Sequence, residues 1–337
     1  MSTSLQSLWL RGLAAALGAT WLGGAALAGE SPSPSDAVLH EARRIELPGV
    51  RGRIDHLAID LQGQRLFVAA LGADEVEVVD LKSGKRIARL TGVREPQGLV
   101  YVASLRRLFV AAGGSGEVVA FDGDRRVGEV AGLPDPDNMR YAASTGRLVV
   151  GYGSGLALLD PAALAIVARI ALPGHAEAFE LAEHGPQIFV NEPEVGRIVV
   201  VDRSTARSSA AWEIGPEAAN FPMALDEAAH RLYVGTRHPA RLLVFDTTAG
   251  QRVAQAPLCG DVDDLFLDLA RARLMAVCGE GVVDELPTTG LGDGRARQTL
   301  TAPGARTGLY VPSSNTLFVA APARLPGTAR IIEYLVN

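Results

Sequence analysis

The sequence predicts an all-β fold, a seven-bladed β-propeller of four-stranded antiparallel blades. The main observation is an apolar hexapeptide, Arg-Leu-Phe-Val-Ala-Ala, that occurs at 65–70 and 107–112 and returns with Thr in first place at 316–321. The seven related copies begin at Arg65, Arg107, Arg147, Gln187, Arg231, Arg273 and Thr316. Their spacings are 42, 40, 40, 44, 42 and 43 residues. A repeat of this length that is built from strands is typical of a propeller.

Each repeat contains the strands that one blade requires. The hexapeptide is too short for a helix and consists of residues that suit a strand buried on both faces. A second β run follows it and ends in Asp, at Asp80, Asp122, Asp160, Asp202 and Asp246. We interpret these carboxylates as turn residues that bond their own backbone, rather than as ion sites, because turn-forming residues follow them.

The last repeat is one strand short. It ends at 330–336, which is only its third strand. We expect residues 42–48, near the other end of the chain, to supply the fourth strand. The N-terminal strand would then close the ring and remove two exposed sheet edges.

The N-terminus predicts export. Arg11 precedes an apolar stretch that ends in Ala26-Leu27-Ala28, so we predict a signal peptide at 1–28. A flexible Pro/Ser leader at 29–39 and a single propeller domain at 40–337 follow. Glycines interrupt the apolar stretch, which disfavours a membrane anchor. We expect a periplasmic or secreted monomer with no membrane span in the mature chain.

The charge of the predicted mature chain bears on its partners. Removing 28 of 337 residues, with Arg11 among them, changes the net charge from −6 to −7, and aromatic residues make up 5 % of the chain. A nucleic-acid surface requires basic stripes or stacking platforms. The charge and composition therefore disfavour nucleic-acid binding, and a DNA-binding propeller is only the second alternative.

The repeat unit resembles the YVTN repeat of YncE-like β-propellers over essentially the whole mature chain. The unit runs D-x-x-x-x-R-L-F-V-A-A, then V-x-V-V-D, then S-G-K-x-I-A. Segments at 137–141, 220–226, 261–264 and 304–307 resemble an exported bacterial branch of unknown function. The resemblance implies the fold but no particular activity, since relatives include DNA binders, enzyme-associated propellers and proteins of no known role.

The loops before the inner strands should converge on the mouth of the central channel. Their polar residues are the candidate ligand-binding residues: Asp55, His56, Gln97, Asp137, Asn138, Glu177, Asn220, Asp263, Asp264 and Arg306. They predict a polar, net acidic basin for a cation or a polar ligand, in which Arg306 could grip a carboxylate. The same residue types also suit tight turns and the walls of a water-filled channel, and that alternative stays open.

These residues favour a non-catalytic binding or scaffold protein, whose partner is a small polar ligand or another protein. The alternative is a metal-assisted hydrolase or lyase, like the lactone-hydrolysing propellers. In that hypothesis His56 acts as a base beside Asp55, and Asp55, Glu177 and Asp263 hold a divalent cation. No other cofactor is predicted and no catalytic residue is assigned. The other histidines, His175 among them, show no close pairing in the sequence.

Cys259 and Cys278 are the only cysteines. In an exported chain such an even pair predicts a disulfide. The bond would brace Asp261, Asp263 and Asp264, which lie between the two cysteines in the sequence.

Overall fold

The computed structural model describes residues 39–337 except 217, 293 and 295. The predicted signal peptide and all but the last residue of the predicted leader lie outside the described residues. Within them, seven four-stranded antiparallel sheets form the seven blades of a β-propeller, as the sequence predicts. No helix in this part of the chain is long and apolar enough to cross a membrane.

The blades share one strand order from the channel outwards. The innermost strands are β2 (Leu57–Asp60), β6 (Pro96–Val102), β10 (Pro136–Ala142), β14 (Phe179–Leu181), β18 (Ala218–Asp226), β22 (Val262–Asp268) and β26 (Thr307–Val311). The second strands are β3 (Arg65–Ala70), β7 (Arg107–Ala112), β11 (Arg147–Tyr152), β15 (Gln187–Glu192), β19 (Arg231–His238), β23 (Arg273–Cys278) and β27 (Thr316–Ala321). The hexapeptide is therefore the second strand of a blade.

The third and fourth strands complete each sheet. The third strands are β4 (Glu75–Asp80), β8 (Glu117–Asp122), β12 (Gly155–Asp160), β16 (Arg197–Asp202), β20 (Ala240–Asp246), β24 (Val282–Pro287) and β28 (Ala329–Val336). The fourth strands are β5 (Lys85–Leu90), β9 (Arg125–Ala131), β13 (Ala165–Ala171), β17 (Arg207–Glu213), β21 (Gln251–Pro257), β25 (Arg297–Leu300) and, in the seventh blade, β1 (Leu39–Leu47).

The hexapeptide is apolar at consecutive positions because each second strand packs against two neighbouring blades. Leu66 and Val68 of β3 lie in a cluster with Phe318 of the seventh blade. Phe67, which points to the opposite face, packs instead with Val110 of the second blade. A strand covered on both faces has no solvent side, so its sequence does not alternate.

The carboxylates that end the third strands build turns. Asp160, Asp202 and Asp246 each accept hydrogen bonds from two backbone N–H groups that follow them, at 2.8–3.1 Å. Asp80 accepts one from the N–H of Ser83 at 2.9 Å. Asp122 forms an ion pair with Arg125 at 3.8 Å. The backbone hydrogen bonds of the first four carboxylates support the interpretation of the repeated Asp as a turn residue, whereas the contact of Asp122 does not bear on it.

The two ends of the propeller domain meet in the seventh blade. β1 pairs antiparallel with β28, with Leu39 opposite Val336 and Leu47 opposite Ala329. Ile45 lies opposite Ile331 and is 1 % exposed. The N-terminal strand closes the ring, as the sequence predicts, but it spans Leu39–Leu47 where residues 42–48 were expected.

The predicted disulfide is present. Cys259, before β22, and Cys278, at the end of β23, are bonded and buried, with their Cα atoms 6.0 Å apart. The bond links the entry to the inner strand of the sixth blade with the end of its second strand. Asp261 and Asp263 lie in the segment that it closes.

Closure by β1 should contribute strongly to stability. We expect Ile45→Ala to lower the free energy of unfolding by about 2–5 kcal/mol, because it leaves a cavity between β1 and β28. Arg44→Ala is the control: Arg44 contacts Glu41 at the surface, at 2.7 Å, and its loss should cost less than about 0.5 kcal/mol. Denaturant unfolding measures both variants. Equal effects would contradict the role of this closure.

The disulfide closes a loop between residues 19 positions apart. By the chain-entropy argument such a bond contributes about 3 kcal/mol. We expect the double variant Cys259→Ala and Cys278→Ala to unfold roughly 5 °C lower than the wild type in calorimetry. The wild type measured with a reductant should approach the variant, and an unchanged midpoint in both cases would show that the bond does not stabilise the domain.

Candidate functional site

The inner strands enclose a central cavity of about 400 Å³, to which all seven blades contribute. Four residues predicted from the sequence line it: His56, Asn138, Asp263 and Asp264.

We call one end of the cavity the mouth: it is the end at which the loops before the inner strands converge. The local backbone geometry directs the polar side chains of these loops towards it. In four blades the pairing of the inner strand shifts register where the strand begins, as in a β-bulge. Residues just before or within these segments have left-handed backbone, with positive φ at Glu95 (48°), Asp135 (48°), Ala219 (60°) and Asp261 (58°). Such a backbone is costly for residues other than glycine. It also occurs in the turns between inner and second strands, as at Gln64, Arg106 and His230, so it is a feature of the repeat and not of the mouth alone.

A glycine positions one of these segments. A Cβ atom added to Gly98 in β6 would lie 2.2 Å from the carbonyl oxygen of Asp137. Only glycine therefore allows the start of β10 to approach β6 so closely. The approach holds Asp137 at the mouth.

Asp55 lies in the first loop between two cationic groups. Its oxygens are 2.9 Å from Nη2 of Arg53 and 2.9 Å from Nδ1 of His56, and the carboxylate is fully buried. Burial alone would raise the pKa of Asp55, but His56 and Arg53 outweigh it and lower that pKa. Asp55 is therefore an ionised carboxylate whose charge is balanced within the protein.

Asp263 is held in the same way. Nε of Arg306 lies 3.0 Å from it, and the guanidinium of Arg237 contacts its other oxygen. Arg306 also reaches Asp261 at 3.2 Å, and Arg237 stacks over the ring of Phe221 at 3.8 Å. Arg306, which we expected to grip a ligand carboxylate, thus has two carboxylates of its own. Arg53 and Arg237 were not singled out from the sequence.

A third cluster joins Asp137, His175 and Glu177. Nε2 of His175 lies 3.9 Å from Oδ2 of Asp137 and 3.9 Å from Oε2 of Glu177. Nδ1 of the same ring lies 3.0 Å from the carbonyl oxygen of Gly153. His175 appeared isolated in the sequence. The available signal was its position at the start of the fourth repeat, two residues before Glu177.

Two more of the predicted residues, Asp264 and Asn138, form hydrogen bonds within the wall of the cavity. Asp264 accepts a hydrogen bond from the N–H of Gly308 at 2.8 Å, and Asn138 accepts one from Arg140 at 2.7 Å. Arg140 also lies 3.5 Å from Glu180.

Two amides link neighbouring loops. Gln97 donates to Asp135 at 3.3 Å. Asn220 is fully buried and donates to Asn191 at 3.0 Å and to the carbonyl oxygen of Arg197 at 3.1 Å. A ligand-binding role for either residue stays a prediction.

The expected metal trio does not come together as one cluster. Among the described residues, Asp137, His175 and Glu177 form the group whose ligand atoms lie within 4.8 Å of one another. Of the expected trio only Glu177 belongs to it, while Asp55 and Asp263 contact arginines.

Four ionisable side chains at the mouth have raised pKa values. Burial lowers the pKa of His56, but the contact with Asp55 and the charges of Asp264 and Asp137 outweigh it and raise that pKa to about 10. Contact with Asp137 raises the pKa of His175 to about 9, against the opposing effect of burial. Burial raises the pKa of Glu177 and of Asp264 to about 7. Both imidazoles are therefore cationic at neutral pH.

Comparisons with known proteins support the fold of this chain and no particular function. No model of a protein family matches it, and no curated protein sequence matches it either. By structure it matches 1663 solved chains, a number too large to indicate one function. One is "Kuenenia stuttgartiensis Hydrazine Synthase", with a TM-score of 0.75 and 15 % identity, over 86 % of this chain and 99 % of that chain. This likeness supports the propeller fold, and the YncE-like resemblance stays a prediction.

The buried Asp264 should make stability depend on pH. Its pKa is about 7 in the folded protein, against 3.8 for a solvated Asp, so the folded state holds a proton that the unfolded state releases between these values. Stability from this group therefore falls as pH rises through that window. Asp264→Asn keeps an oxygen for the N–H of Gly308 and cannot ionise. We expect its melting-temperature advantage over the wild type to grow from about pH 4 to about pH 7 and then to stay constant.

Asp80→Asn is a control for which we expect the opposite change of relative stability with pH. Hydrogen bonds from Ser83 lower the pKa of Asp80, so its charge stabilises the folded state above that pKa. Asp80→Asn should therefore lose stability relative to the wild type as pH rises from acid values. Thermal unfolding across the pH range distinguishes the two, and a pH-independent difference for Asp264→Asn would contradict the assignment of a buried, proton-holding carboxyl.

Proposed function

We propose that this protein is an exported, non-catalytic binding propeller whose channel mouth takes a small polar ligand that carries positive charge or several hydrogen-bond donors. The observation that carries the proposal is an excess of acceptors at the mouth. Six carboxylates meet there, Asp55, Asp137, Glu177, Asp261, Asp263 and Asp264, against five cationic groups, Arg53, Arg237, Arg306 and the imidazoles of His56 and His175.

The pairing of these charges selects the kind of ligand. The three arginines already contact Asp55, Asp261 and Asp263, so a ligand anion would have to compete with carboxylates of the protein. Asp264 has one backbone donor and no arginine at ion-pair distance among the described residues, and it faces the cavity. A cation or a donor-rich molecule would complete the hydrogen bonds and charges that the protein leaves open.

The protonation of His56 favours binding over base catalysis. A general base must accept a proton near the working pH. His56, with a pKa near 10, is already protonated at neutral pH. The hydrolase alternative, in which His56 accepts a proton, is therefore the weaker hypothesis.

Two observations support export. The disulfide between Cys259 and Cys278 suits an oxidising compartment. The sequence before the propeller has the charge, apolar stretch and small-residue pattern of a signal peptide. We accordingly propose a periplasmic or secreted protein.

A ligand panel tests the proposal. Small amines, polyamines, amino acids and sugars are added to the purified propeller in buffer that contains a chelator, and thermal unfolding is measured. A ligand at a hundredfold excess over its dissociation constant stabilises the folded state by about 2.7 kcal/mol, or several degrees. We expect a cationic or donor-rich compound to produce such a shift in the wild type.

Variants locate the binding. Asp264→Asn should lose most of the ligand-induced shift, whereas Glu129→Gln, which alters a surface ion pair with Arg126 on an outer strand, should keep it. The comparison uses the shift and not the absolute melting temperature, because Asp264→Asn also changes stability. Equal shifts in all three proteins, or shifts with anions alone, would contradict the proposed site.

A further inference from the structure

We propose that Asp137, His175 and Glu177 form a site for one first-row divalent cation, of the type of Zn²⁺ or Mn²⁺. The inference deepens the proposed function, since it rests on the mouth as the binding region and names a metal ion as one cation that it takes. It replaces the expected trio of Asp55, Glu177 and Asp263, two of which lie against arginines.

The distances suit a single ion. Nε2 of His175 is 3.9 Å from an oxygen of Asp137 and 3.9 Å from an oxygen of Glu177, and all three ligand atoms lie within 4.8 Å of one another. Two ligands at about 2.1 Å from zinc lie at most about 4.2 Å apart. Each nitrogen–oxygen pair is therefore already close enough for both atoms to bind one ion. Only the two carboxylate oxygens have to move closer to each other.

The imidazole is oriented for metal binding. Its Nδ1–H donates to the carbonyl oxygen of Gly153 at 3.0 Å, which leaves Nε2 directed at the two carboxylates. Histidines that bind metals commonly donate their second ring N–H to a carbonyl or carboxylate in this way. The contact fixes both the ring and the nitrogen that faces the ion, and the proton that Nε2 carries at neutral pH leaves when the ion binds.

An independent observation comes from Asp137. This residue is 8 % exposed, and its Oδ1 accepts no hydrogen bond from the described residues. A buried carboxylate oxygen without a partner is costly. Asp55 and Asp263, by contrast, each lie within 3.0 Å of an arginine. Oδ2 of Asp137 faces Nε2 of His175, so a metal ion there would supply a partner for Oδ1 as well if the carboxylate binds it through both oxygens.

The ligand set selects the class of ion. One imidazole nitrogen with two carboxylate oxygens suits zinc, manganese or iron, whereas calcium and magnesium prefer oxygen ligands throughout. Three protein ligands leave at least one coordination position for water or for a small ligand from the cavity. The site is thus of the open kind, at the entrance to the channel.

Isothermal titration of chelator-treated protein tests the site, with Zn²⁺, Mn²⁺ and Ca²⁺ as separate probes. We expect the wild type to bind one Zn²⁺ or Mn²⁺ per chain and to bind Ca²⁺ more weakly. His175→Gln should weaken binding more than about 10-fold, the lower limit for disturbing even an outer partner of a metal ligand. The matched control is His184→Gln, because His184 also pairs with a carboxylate, Glu227 at 3.2 Å, but outside the mouth. This control should bind as the wild type does.

Folding is checked by circular dichroism and by melting in chelator. If His175→Gln unfolds, Glu177→Gln takes its place with the same expectation. The metal site is overturned if the wild type binds neither Zn²⁺ nor Mn²⁺ at one per chain, or if the mouth variants bind as tightly as His184→Gln. The ligand panel is run in chelator, so its hits would survive such a result, and failure of the metal site is distinguishable from failure of the proposed function.

Discussion

The packing of each blade against both of its neighbours is the constraint on which this structure depends. A blade has two apolar faces, and neither can be left in water. Leu66 and Phe67, adjacent in β3, therefore lie in the cores of different blade interfaces. The ring must close for the first and last faces to be covered, and the pairing of β1 with β28 achieves that closure.

Closure places seven loops around one axis, which explains how a functional site can form without a local motif. The bulges and left-handed residues at the start of the inner strands direct polar groups at the mouth. The ring supplies the rigidity that such a backbone requires. Carboxylates that are distant in the chain, such as Asp55 and Asp263, consequently share one small volume.

The fold was predictable from the sequence because its information is periodic. Seven hexapeptides, the turn-forming Asp residues and the missing last strand each predict a feature of the blades, and the structure has them. The disulfide was equally accessible, since two cysteines allow one pairing. These signals are local or repetitive, so they require no knowledge of distances between blades.

The site was predictable only as a set of loops. The sequence indicates that Asp137 and Glu177 face the mouth, but their relation to His175 depends on the approach of neighbouring blades. Arg53 and Arg237 were missed for the same reason, because an arginine reveals its partner only in three dimensions. These arginines neutralise some carboxylates of the predicted acidic basin, and other carboxylates there have no arginine beside them.

The most direct test of a metal site at the mouth is anomalous diffraction from crystals of the protein grown with Zn²⁺, measured on both sides of the zinc absorption edge. We predict a peak about 2.1 Å from Nε2 of His175, between the carboxylates of Asp137 and Glu177. A peak confined to surface histidines such as His184, with none at the mouth, would contradict the metal site.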